Sequence, residues 1–152
     1  MVKDIDSILI EPQQLAAHLG DEDILIIAVC MKKDFNDGHI PGAILIEPSE
    51  LIQGESPAVG KLPDIQKLEK LFSSIGLRDN LRIIAYDDEG GGWAGRLIWT
   101  LDVLGHSKYS LLNGGIIAWR GEGFPISVDS ASPVITDFTA TINKDAVSYT
   151  HL

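Results

Sequence analysis

Cysteine is nearly absent: Cys30 is the single one among 152 residues, which excludes an internal disulfide framework. Cations are few as well, 12 Lys and Arg against 22 Asp and Glu. At a net charge of −10, a general surface for nucleic acid or anionic lipid is excluded, because such surfaces need clustered Lys and Arg. No apolar run is long enough to cross a bilayer, and the opening MVKDIDSILIEPQQ lacks the long apolar core of a signal peptide. No pair of histidines has metal-ligand spacing. The expectation is therefore a soluble chain of the reducing cytoplasm with no metal, no cofactor, and neither nucleic acid nor membrane as partner. What is plentiful is hydrophobic material, 45% of the residues, enough for one domain with a sizeable core.

That material is organised. ILIIAV (24–29), AILI (43–46), LRIIAY (81–86) and YSLL (109–112) are apolar at nearly every position, the pattern of parallel strands covered on both faces. Helical segments lie between them. Pro12 opens a short helix through Leu15 and Leu19 to Gly20, and Asp64 can cap a second whose Ile65, Leu68, Leu71, Phe72 and Ile75 share a face before Gly76. A third runs from Trp93 to Gly105 with Trp93, Leu97, Leu101 and Leu104 facing inward and Arg96 and Asp102 elsewhere; a fourth covers roughly 115–121, with Trp119 inside. Alternating strands and helices predict a three-layer α/β domain over residues 1–126. Residues 127–152 are rich in Ser, Thr and Asp and lack a sustained apolar period. They read as an extended arm or linker, mobile unless a partner holds it. The last nine residues have the character of a helix start, which suits either a chain cut near a second domain or a plain tail.

One corner poses a physical problem. IIAYDDEGGGWAGR (83–96) runs from an apolar strand through Gly90, Gly91 and Gly92 into a helix. Ligands of open α/β sheets gather at such carboxyl ends, and the glycines let successive N–H groups turn inward, so the shape is that of an anion cradle. Yet Asp87, Asp88 and Glu89 stand there. A helix N-terminus offers an anion roughly 0.3–2 kcal/mol, while each carboxylate near 4 Å opposes it by about 1 kcal/mol in water and about 4 at an effective dielectric of 20. Two nearby acids would outweigh the dipole unless they point away or Arg96 offsets them; pairing with the acidic loop is the role expected of Arg96.

The stretch YDDEGGGWAGRLIWTLDVLGHSKYSLLNGGIIAWRGEGFP resembles the rhodanese homology domain, specifically the amino-terminal half of tandem-domain thiosulfate or 3-mercaptopyruvate sulfurtransferases. GHIPGA (38–43), LGH (104–106), LNGG (112–115), Ala118, Trp119, Gly123 and Pro125 follow in family order, and with the opening SILIEPQQLAAHL they cover most of residues 7–126. The resemblance implies a five-stranded parallel sheet flanked by helices. It also implies that the residue after the central strand, here Asp87, occupies the position at which catalytic members carry sulfur on a cysteine as a persulfide. A carboxylate oxygen cannot hold a sulfane sulfur. The resemblance therefore implies the non-catalytic half of a sulfurtransferase, inactive by itself and packed against a second rhodanese domain that carries the cysteine. A stand-alone, inactive interaction or sensory module is the alternative of a different class.

Other chemistries share the corner's spacing. Asp87 and Glu89 after an apolar strand are similar to the carboxylate pair of aspartyl-phosphate phosphatases, but the later lysine and further metal-binding acids are not found. Gly90, Gly92 and Gly95 formally fit a dinucleotide fingerprint, yet Asn113 stands where its acidic residue belongs. Cys30 ends a strand at the same end of the sheet as Asp87, and Lys32 and Lys33 would favour its thiolate; with no glycine turn or helix N-terminus expected after it, the reading adopted is a small buried hydrophobe. His39 is expected to tie a loop, His106 to sit as a helpful cation past a helix end, and His18 to close a short helix. Trp99 and Trp119 are expected in the core, and Trp93 at the mouth of the cradle.

Overall fold

The structure is a computed structural model, and residues 7–52 and 63–143 are those it describes. Five strands, β1 (Leu9–Ile10), β2 (Ile24–Val29), β3 (Ile44–Ile46), β4 (Arg82–Asp87) and β5 (Tyr109–Leu112), form one sheet in the order β1-β5-β4-β2-β3. Every pairing is parallel. The helices are α1 (Pro12–Ala16), α2 (Lys32–Asp37), α3 (Ile65–Ser74), α4 (Gly92–Val103) and α5 (Gly115–Gly121), with a 3-10 turn at Pro48–Leu51.

Because side chains alternate across a strand, each central strand feeds two cores. Ile27, Val29, Ile83 and Ala85 pack with Leu68 and Phe72 of α3 and with Ala94, Leu97 and Leu101 of α4. Ile26, Ala28, Ile84 and Tyr86 pack with Leu15 of α1, Phe35 of α2 and Trp119 of α5. The three-layer expectation follows from this double coverage: a strand buried on both faces has no polar alternate positions. Among the described residues, no helix is long and apolar enough to cross a membrane.

Among strands and α-helices, two escaped the sequence reading. β1, only two residues long, is an edge strand whose Ile10 is fully buried while Leu9 is exposed. The other is α2, which begins at Lys32 immediately after Cys30 and Met31, so a helix start does follow the cysteine. Its six residues KKDFND contribute only Phe35 to the core, too little periodicity to announce a helix.

The arm needs a larger correction. Residues 127–143 form no regular element beyond an isolated antiparallel bridge of Ser127 to His39, yet they are hydrogen-bonded to the chain's own helices, with no partner needed to dock them. The last carbonyls of a helix have no partner within it. Here the amides of Thr141 and Asn143 donate to Leu104 O and Val103 O at 3.0 and 2.8 Å, and Thr136 N donates to Ser73 O at 2.9 Å. Phe138, 8% exposed, enters the core edge-on to Phe72 with ring centroids 6.2 Å apart. Unsatisfied helix ends and one aromatic anchor hold a segment whose composition reads as linker. The expected helix start over 144–152 lies outside the described residues.

Candidate functional site

Asp87 is the last residue of β4 and its side chain is buried, 2% exposed. Gly90 and Gly91 adopt left-handed φ of 86° and 102°, conformations that a side chain would strain, and turn their loop back over the strand end. The result is a ring of donors around the carboxylate. Oδ1 accepts from Glu89 N at 3.0 Å and Gly91 N at 2.9 Å, and Oδ2 accepts from Ala94 N, in the first turn of α4, at 2.8 Å.

This resolves the charge problem of the corner. The cradle is real, and the anion in it is the chain's own Asp87. Hydrogen bonds to a charged acceptor contribute about 1.5–3 kcal/mol each, so three of them exceed the repulsion of neighbours that face solvent. Glu89 is exposed and Asp88 half-buried. Burial, then the charge of Asp34, hold the Asp88 carboxyl above its ordinary range, with smaller contributions from Glu89 and Asp87 against its own backbone hydrogen bond. On the far side, Gly115 (φ 56°) lets α5 approach so closely that a Cβ there would run into the carbonyl oxygen of Asp87.

Arg96 does not take the role expected of it. Its Nε donates to Leu51 O at 3.1 Å and its guanidinium lies 4.8 Å from the centre of the Trp99 ring. Trp99 is accordingly half-buried and under a cation instead of in the core. Trp93 packs against the α4 side of the core, as its stripe predicted. Gly92, the third glycine, is the first residue of α4.

Beside the cradle lies a pocket of about 270 Å³. Cys30, Asp34, Asp37, His39, Asp88 and Arg120 are among its walls, with Asp87 and Tyr86. Cys30 therefore does reach the same end of the sheet as Asp87, but the pleat sends it to the opposite face, with Ile26 and Ala28. Burial, followed by Asp88, Asp34, Asp87 and Glu47, pushes its thiol up to about 12, the reverse of the shift that Lys32 and Lys33 would favour. A neutral thiol is neither a nucleophile nor a soft ligand, and the buried-hydrophobe reading accounts for it. The Tyr86 hydroxyl accepts Ile40 N–H at 3.1 Å and is raised above its ordinary pKa mainly by burial. Asp34, Asp37 and Arg120 were missed from sequence. Two aspartates three apart just beyond a strand end were the available signal, and without α2 they had no face to share.

The remaining histidines divide. His39 ties its loop as expected, through ring bonds to Phe35 O and Asp129 O at 2.8 and 2.7 Å. His18 Nδ1 pairs with Asp21 at 2.7 Å. His106 departs from the cation expected: burial lowers its pKa, and the neutral ring donates from Nε2 to Leu81 O and Lys108 O. Trp119 is fully buried and its Nε1 donates to Pro125 O at 2.7 Å.

The geometry also bears on the competing chemistries. Both oxygens of Asp87 face backbone donors, so neither is aimed at a substrate phosphorus as a phosphatase nucleophile would be. The N–H groups of Gly91 and Ala94, which a dinucleotide pyrophosphate would need, are already taken.

Comparison with known proteins agrees with the fold. A family model described as Rhodanese-like domain matches residues 11–122. The thiosulfate sulfurtransferase of Pseudomonas aeruginosa is 42% identical over 91% of this chain and 51% of its own length. That of Azotobacter vinelandii is 41% identical over 83% and 46%. Among solved structures, the 3-mercaptopyruvate sulfotransferase of Escherichia coli superimposes with a TM-score of 0.81 at 25% identity, over 91% of this chain and 58% of that one. The chain thus spans about half the length of the curated relatives it matches.

Proposed function

Because the chain belongs to the rhodanese-like domain family, we propose that it serves as the non-catalytic, amino-terminal half of a two-domain sulfurtransferase. The whole protein would move sulfur from thiosulfate or 3-mercaptopyruvate to a thiol or cyanide, through a cysteine on a second rhodanese domain packed against this one. One observation carries the reading: a buried carboxylate, accepting three backbone N–H bonds, fills the cradle at the end of the central strand. By family resemblance that cradle belongs to a persulfide. Oxygen at this position offers no thiolate to attack a sulfur donor, and its charge leaves no place for a second anion. The half-length match to thiosulfate sulfurtransferases supports the two-domain arrangement. The single thiol, Cys30, held neutral, suits a reducing compartment.

The test is thiocyanate formation by the purified chain from thiosulfate and cyanide. No turnover above the uncatalysed rate is expected. Turnover that disappears in Cys30→Ser would overturn the assignment and make Cys30 the sulfur carrier. Reading the coding sequence beyond Leu152 separates the two non-catalytic roles: a further domain with a cysteine after its central strand supports the half-enzyme, and a stop codon supports the stand-alone interaction module.

A further inference from the structure

His39 is 1% exposed, and both of its ring nitrogens face carbonyl oxygens: Nδ1 lies 2.8 Å from Phe35 O, in α2, and Nε2 lies 2.7 Å from Asp129 O, in the arm. A carbonyl oxygen can only accept. A neutral imidazole has one N–H and one lone pair, so it can satisfy one of these oxygens and must turn its lone pair toward the other; the imidazolium has two N–H groups and donates to both. We propose that His39 is a proton-operated latch, which in its doubly protonated form pins the start of the arm to α2 and on losing a proton releases it.

Acidic groups outnumber basic ones around it. Asp34 and Asp37 of α2, Asp87 at the end of β4, and Asp88 in the following loop line the same pocket as His39, against a single guanidinium, that of Arg120 from α5. Cys30, just past β2, and Tyr86, in β4, also face that pocket, and both stay neutral there, held above their ordinary ranges. Asp129, whose carbonyl takes the bond, brings its own carboxylate on the arm. The Phe35 ring stacks flat on the imidazole at 3.8 Å between centroids, which fixes the ring plane so that both nitrogens stay aimed. Further bonds join the same two segments: His39 N donates to Ser127 O at 2.9 Å and Ser127 N to His39 O at 2.8 Å, and Asp129 N donates to Ser127 Oγ at 3.0 Å within the arm. The sign follows from the donors. The second bond exists only while the second proton does, so the latch is closed on the acid side of the histidine's titration and opens on the alkaline side. The latch stands whether or not this chain is half of a sulfurtransferase.

The test is nitrogen NMR of the chain labelled with ¹⁵N-histidine, together with amide exchange of residues 127–129, across the titration. With the latch closed, both His39 ring nitrogens should carry protons. As one proton leaves, the protection factors of Ser127 and Asp129, corrected for base catalysis, should fall about tenfold or more, the scale of a lost hydrogen bond to a charged group. His106 bonds only through Nε2, so its titration should leave those amides unmoved. In His39→Gln, which supplies one donor group in place of two, protection should be low and independent of pH. If that variant does not fold, the unaltered chain still decides. A His39 ring with one N–H while residues 127–129 remain protected, or protection that ignores the ring's titration, overturns the proposal.

Discussion

Strands β2 and β4 lie side by side with Val29 opposite Asp87, and both run out at the same end of the sheet. Their corners treat negative charge in opposite ways. After β4, two glycines in left-handed conformation and the first turn of α4 aim three N–H groups at one carboxylate. After β2, Met31 is simply extended into α2 and no glycine turn gathers donors; the group there is a thiol that burial and four acids keep protonated. Position at the carboxyl end of a parallel strand is thus insufficient for holding an anion. The supply of converging backbone donors decides, and only the β4 corner has it.

The sharpest way to break this comparison is to remove the acceptor from each corner. Asp87→Leu leaves one buried and two part-buried N–H groups facing hydrocarbon. At about 1–3 kcal/mol for each unsatisfied donor, with partial relaxation of the loop toward water, the loss should be roughly 3–5 kcal/mol in urea denaturation. Cys30→Ala removes a small apolar side chain with no donors arranged around it, and should cost only about 1–2 kcal/mol. Equal losses would mean that the β4 loop holds its shape without the carboxylate.

A second experiment places the same group in both corners. In Asp87→Cys the new thiol meets the three donors, and thiolate absorbance should show it titrating below the free-thiol value of about 8.5. Cys30, in the same molecule, should titrate well above that value, held up by burial and by Asp88 and Asp34. Two separated steps sharpen the comparison; one shared alkaline step would show that the acids of the pocket dominate both corners.

The difference between the corners also marks what the sequence could and could not disclose. β2 and β4 were legible because burial on both faces makes every position apolar, and α4 because its stripe is long. The glycine-rich loop announced a cradle. What the sequence left open was the direction in which Asp87 points, a matter of two φ angles and of Gly115 pressing on its carbonyl from a distant segment. Arg96 was misassigned for a related reason: sequence proximity favoured the acidic loop, whereas the fold brings Leu51 O within 3.1 Å. α2 is too short to carry a period, and with it Asp34 and Asp37 stayed invisible as pocket walls. The arm's order depends on carbonyls at the ends of α3 and α4, which no property of residues 127–143 themselves could reveal.

The smallest expected effect is on the alkaline side of the stability curve. Cys30 has its pKa raised from 9.0 to about 12 in the folded chain. The folded state therefore keeps a proton that the unfolded state gives up, so this contribution is fully present below about pH 9 and is lost as pH rises toward 12. Urea denaturation at pH 8, 9 and 10 should show stability falling in the unaltered chain and falling less steeply in Cys30→Ala. Tyr86, also raised, joins only as pH passes its unfolded value of about 10, so the interval between 9 and 10 isolates the thiol. Parallel slopes in the two proteins would mean that the β2 corner tolerates a thiolate after all. The contrast between donor-rich and donor-poor corners would then lose one of its two sides.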